Sequence, residues 1–95
     1  MNVVIKRSTN PKKKFQAHLN GKTIRFGDSN YQDFTQHGDV LRKQRYIQRH
    51  QKNEDWSDMS TAGFWSKHLL WNKPSLTASV KDLNQKISDV QFVLA

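Results

Sequence analysis

The sequence predicts a small α+β domain: a three-stranded antiparallel sheet, then about three helices, then a C-terminal segment read either as a last strand or as an arm on a neighbouring molecule. Three observations predict it. An Asn-Gly pair at residues 20–21 separates two alternating segments, the strongest short-range hairpin signal. Beyond residue 60 the apolar residues change to helical spacing. Asp39, Ser60 or Thr61, and Ser75 stand where helix N-caps are wanted, and Pro74 closes the middle helix.

In chain order, residues 2–8 read as a strand with Val3 and Ile5 on one face and Val4 and Lys6 on the other. TNPKKK follows as a loop. A two-residue turn at Asn20-Gly21 pairs Leu19 with Lys22, Ala17 with Ile24 and Phe15 with Phe26, and sets His18 opposite Thr23 and Gln16 opposite Arg25. Apolar pairs fall on one face and polar pairs on the other, so turn chemistry and burial pattern agree. Residues 27–38 form an irregular connection whose Tyr31 and Phe34 are expected to fold over the sheet. Asp39 caps a helix running to about Gln51, with Val40 and Ile47 on one side and Arg42, Arg45 and Arg49 opposite, at i, i+3 and i+7. Tyr46 borders that stripe, with Lys43 and His50 on the other flank.

The stretch TAGFWSKHLLWNKP, residues 61–74, carries two of the three tryptophans and the heaviest apolar load in the chain. A helix there is apolar on most of its circumference, so it is buried by the fold, by a partner, or by both. The expectation is that Phe64 and Trp71 face inward and that Trp65 and Leu69 serve a protein contact together with Phe92 and Leu94 of the tail. Leu76, Val80, Leu83 and Ile87 form one apolar stripe on the next helix. The chain reads as one domain, residues 1–95, with a sheet region at 1–27, a basic loop and helix at 28–52, aromatic and amphipathic helices at 53–89, and the tail at 90–95.

With 35% hydrophobic residues in 95, the core must be small. No cysteine is present, which removes disulfides and thiolate metal sites and favours an intracellular setting. The start, MNVVIKRS, is too short an apolar run for a signal peptide, and no segment approaches transmembrane length. Charge is divided unevenly. Residues 1–52 hold twelve of the sixteen Lys and Arg against three acids, whereas residues 53–95 hold four bases and five acids. Such asymmetry points to a polyanionic partner. Arg42, Lys43, Arg45 and Arg49, with Lys12, Lys13 and Lys14, are the candidate contacts, because guanidinium groups grip phosphate and carboxylate in bidentate fashion.

Enzymatic chemistry is not expected. The histidines at positions 18, 37, 50 and 68 include no i, i+4 pair, so neither a metal nor another cofactor is anticipated. Asp33, His37 and Asp39 are the one polar constellation, and they read as loop and helix caps in the absence of a nucleophile or oxyanion loop. Gly63 stands alone, without a phosphate-binding loop around it.

GKTIRFG, YQDFTQHGDVLRKQRYIQRH, EDW and TAGFWSKHLLWNKPSLTASVKD, spanning roughly residues 20–84, together resemble a family of small basic proteins of unknown function. That family is encoded by large DNA viruses of algae and amoebae and by some aquatic tailed phages. Lys67 and His68 stand where the family pattern has Arg and Trp, Gly38 stands where Lys is usual, and the tail is longer. The resemblance implies a viral context and brings no catalytic residues. Two functions follow as expectations. One is a minor capsid or cement protein of the virion, docking on neighbouring capsid subunits. The other is a sequence-nonspecific protein binding DNA or RNA through the phosphate backbone, in the virion or in the host cytoplasm or nucleus.

Overall fold

A computed structural model describes residues 1–95. Four strands, β1 (Asn2–Arg7), β2 (Lys13–Leu19), β3 (Lys22–Asp28) and β4 (Gln91–Leu94), form one sheet in the order β3-β2-β1-β4. The hairpin has the register its turn demands, with Phe15 opposite Phe26, Ala17 opposite Ile24 and Leu19 opposite Lys22. Asn20 and Gly21 both take positive φ, at 48° and 74°, the two-residue turn whose twist matches its strands. Val3, Ile5, Ala17, Ile24 and Phe26 are buried on one face, while Lys6 and Arg25 lie exposed on the other. The fold is therefore α+β, but the sheet is mixed rather than three-stranded and antiparallel. The tail is a strand within the chain, β4, parallel to β1 with Val3 opposite Phe92.

Four helical segments lie along the buried face and its end. A one-turn helix, α1 (Phe34–His37), stands in the connection expected to be irregular, held by a capping box in which Asp33 and Gln36 satisfy each other's backbone. Phe34 is buried as expected, but Tyr31 is 71% exposed rather than folded over the sheet. Next come α2 (Val40–His50), α3 (Ala62–Trp65) and α4 (Leu76–Lys86), capped by Asp39, Thr61 and Ser75 in turn. On α4, Val80 and Leu83 are buried, and Leu76 and Ile87 pack half-buried against the core.

The aromatic helix departs from its expected facing. After Trp65 it widens into a π-helical turn, Ser66–Leu70, and Trp71 N–H reaches Ser66 O at 3.0 Å, five residues back. Each residue of a wider turn rotates less about the axis, so a seven-residue spacing no longer returns Trp71 to the side of Phe64. Leu69 and Leu70 both turn inward and Trp71 is left half-buried. Trp65 is the core tryptophan, with no exposed surface; it stacks on Phe26, meets Phe64 and Phe92 edge-on, and donates its indole N–H to Met59 O at 2.9 Å. Three of the four residues expected at a protein contact, Trp65, Leu69 and Phe92, are thus core residues, and only Leu94 presents exposed surface.

Trp65→Ala should therefore cost about 3–5 kcal/mol, a large share of a domain stability of about 5–15 kcal/mol. Trp71→Ala should cost clearly less. Urea unfolding followed by circular dichroism checks the order, and equal losses would contradict this placement of the two rings.

Candidate polyanion interface

The basic half of the chain folds around a cleft of about 650 Å³. One wall is the face of α2 carrying Arg42, Arg45, Tyr46, Arg49 and His50. The inward stripe of this helix is Lys43, Tyr46, Ile47 and His50, at i, i+3, i+4 and i+7, and the three arginines flank it at exposed positions. Val40 and Leu41 point to solvent, 57% and 63% exposed. The lining also includes the small residues Ala62 and Gly63 of α3 and Ser66 just after it, with Phe26, Gly27, Leu70 and Trp71.

Two glycines make this geometry available. Gly27 has φ +82°, and a Cβ there would lie 2.7 Å from Leu70 Cδ1 and 3.3 Å from Lys14 Cβ, so only glycine lets the π-turn close on the end of β3. At Gly63 a Cβ would come within 3.0 Å of the Glu54 carboxylate.

The cleft collects five cations, Lys13, Lys14, Arg42, Arg45 and Arg49, against the carboxylates of Asp28, Asp33 and Glu54. Two of these acids are engaged by groups other than the arginines. Asp33 is buried, takes Lys14 Nζ at 2.7 Å, and caps α1 by accepting from Thr35 N–H at 2.9 Å. Glu54 accepts the Trp56 indole N–H at 2.8 Å and faces His50 Nδ1 at 3.4 Å. No acid lies within ion-pair distance of any of the three arginines. Their charge is uncompensated within the chain.

An aromatic ladder stiffens the arginine wall. Tyr46 stacks between His50, at 4.4 Å, and Trp71, at 4.5 Å with the rings 3° from parallel. Trp71 continues to His37 at 5.4 Å, and His37 to Phe34 at 6.2 Å. Asp39 N–H donates to His37 Nδ1, so the neutral ring carries its proton on Nε2, which is buried without a hydrogen-bond partner. Burial, with Glu54 adding to it, pushes the Tyr46 phenol well above its ordinary range, so the ring stays neutral in this basic setting.

The expected contacts divide. Arg42, Arg45, Arg49 and Lys13 reach the cleft with free charge; Lys12 is exposed but lies outside it. Lys14 is tied to Asp33 and, at 2.6 Å, to Gln36 Oε1. Lys43 leaves the stripe altogether: it donates to Asn72 O at 2.6 Å and lies 5.0 Å from the Phe34 ring centroid, and burial together with Lys73 lowers its pKa. Sequence reasoning set Tyr46 beside the arginines but did not join Tyr31 and Trp71 to them. The i, i+4 step from Arg42 to Tyr46 and from Arg45 to Arg49 was the signal available for Tyr46.

Asp33 and Asp39 serve as caps, and His37 is bonded to the backbone of Asp39. The other histidines sit apart: His18 lies between Gln16 and Thr23, while His68 donates Nε2–H to Trp56 O at 2.9 Å and is kept neutral chiefly by burial. No group of three or more His, Cys, Asp or Glu residues is placed to hold a metal ion. No helix is long and apolar enough to cross a membrane.

Fold and cleft together define a small α+β domain with a cationic, aromatic-braced cleft beside its sheet. A family model described as a family of unknown function (DUF5754) matches residues 3–50, and the chain belongs to that family. The matched span holds β1 to β3, α1 and α2, and with them all five cations of the cleft. No curated protein and no solved structure matches the sequence.

Lys14→Ala should destabilise the fold by about 1–3 kcal/mol, because Asp33 would remain buried without its cation. Lys12→Ala and Lys13→Ala should stay within about 0.5 kcal/mol of the parent. Thermal melts of the three variants test this division, and three equal effects would contradict it.

Proposed function

We propose that this protein is a non-enzymatic, sequence-nonspecific nucleic-acid-binding protein that grips phosphates in the cleft walled by Arg42, Arg45 and Arg49. The observation that carries this reading is the arginine face of α2. Three exposed guanidinium groups share one side of the helix and line one cleft, and no carboxylate of the chain pairs with them. Three like charges on one face with no carboxylate beside them leave a local positive potential that attracts an anion. The N-terminus of α2 is already satisfied by Asp39, which accepts from Leu41 N–H and Arg42 N–H, so the arginine side chains carry the recognition. Arginine's fork suits phosphate oxygens, and nothing in the cleft is arranged to read base edges in a duplex groove. On the resemblance over residues 20–84, the setting is viral, with the genome or its transcripts as the polyanion.

Replacing Arg42, Arg45 and Arg49 together by Gln should weaken binding and flatten its salt dependence by about 0.7–0.9 log–log unit for each phosphate no longer held. Fluorescence anisotropy across a salt titration measures this. An unchanged slope would leave the three arginines as a solvated face.

The capsid-docking reading keeps one supporting observation, the outer edge of β4, where Val93 and Leu94 are 38% and 39% exposed on the edge strand of the sheet. The buried state of Trp65, Leu69 and Phe92 removes the larger apolar surface it relied on. Mass spectrometry of purified virions separates the readings. Stoichiometric copies beside the major capsid protein would favour docking, and absence from the particle would favour a role on nucleic acid in the infected cell.

A further inference from the structure

We infer that the cleft takes a single strand, with one unpaired base stacked on Tyr31 and the flanking phosphates on the arginines of α2. This rests on the reading above and deepens it. Tyr31 is the one aromatic side chain left largely in water, at 71% exposed, and it lines the same cleft as Arg42, Arg45 and Arg49. Its backbone is fixed: Tyr31 N–H donates to Asp28 O at 3.2 Å, and Asn30 N–H to the Asp28 carboxylate at 2.9 Å, so a turn presents the ring. The other rings of the cleft are occupied. Tyr46 has His50 on one face and Trp71 on the other, and Trp71 lies between Tyr46 and His37. Tyr31 is therefore the open platform, and one platform specifies one base.

The cleft itself suits a single strand. Tyr31 and the arginines of α2 line the same space of about 650 Å³. A duplex keeps its base faces stacked inside, whereas a single strand can offer a base to the ring and its phosphates to the arginines. An open ring beside cations is the arrangement by which proteins hold single strands without reading sequence, because every base has a π-face.

The test uses the whole chain, a labelled oligothymidylate, the same strand annealed to its complement, an oligoribonucleotide of matched length, and inorganic polyphosphate as competitor. The single strands should bind at least about tenfold tighter than the duplex at equal salt. Tyr31→Ala should weaken single-strand binding by about tenfold, the effect of losing one base stack, and leave polyphosphate competition for the cleft unchanged. Tyr31→Phe should restore the parent affinity. Because Tyr31 is exposed, these variants should keep the parent melting temperature. Equal affinity for duplex and single strand, or an unaltered Tyr31→Ala, would overturn the single-strand inference while leaving phosphate binding by the arginines intact. If no nucleic acid binds and the arginine variants change nothing, the proposed function itself is overturned.

Discussion

The burial of Trp65 holds the aromatic helix against both edge strands of the sheet. Its ring lies against Phe26 of β3, Phe64 of α3 and Phe92 of β4, and its indole N–H is satisfied by the Met59 carbonyl of the preceding loop. One side chain thus joins the hairpin, the aromatic helix, the final strand and the loop that enters the helix. In a chain with 35% hydrophobic residues such a junction matters more than in a richer one, because few other side chains bridge the same elements. The π-turn that follows is its counterpart: it brings Leu69 and Leu70 inward together and leaves Trp71 free to stack under α2.

That stack is how the core reaches the cleft. Tyr46 fixes α2 against Trp71, and Lys43 fixes the other flank against Asn72 O and the Phe34 ring. With the helix held by those two side chains, its cleft-facing arginines need not pack to keep it in place. Packing and free charge are thus divided between residues of the same helix. Lys14 shows the same division inside the KKK run, since it neutralises Asp33 while Lys13 stays free.

The sheet was legible wherever one physical rule governed. Turn chemistry at Asn20-Gly21 dictated register, register dictated which faces were apolar, and Val3, Ile5, Ala17, Ile24 and Phe26 followed. Ser75 and the stripe Leu76, Val80, Leu83 and Ile87 placed α4 for the same reason. What escaped were the features that break a period. The π-turn shifts phase by one extra residue, so Trp65 and Trp71 exchanged their expected places. The parallel pairing of β4 with β1 joins opposite ends of the described chain, and no local pattern announces it. At the cleft, the arginine stripe was visible as a helical spacing, but its partners in the lining, Gly27, Gly63 and Trp71, come from three other segments.

The placement of β1 has a consequence for the order in which the molecule is made. β1 is an interior strand, with β2 on one side and β4 on the other, and Ala95 N–H donates to Ile5 O at 2.8 Å. A nascent chain emerging from the ribosome can complete the hairpin and pair it with β1 early, but β4 is synthesised only after every helix has passed. For that whole interval β1 presents an open edge, and Phe92 is missing from the cover over Trp65. The sheet can therefore close only after the helices have been made, and the strand that closes it also completes the cover over Trp65.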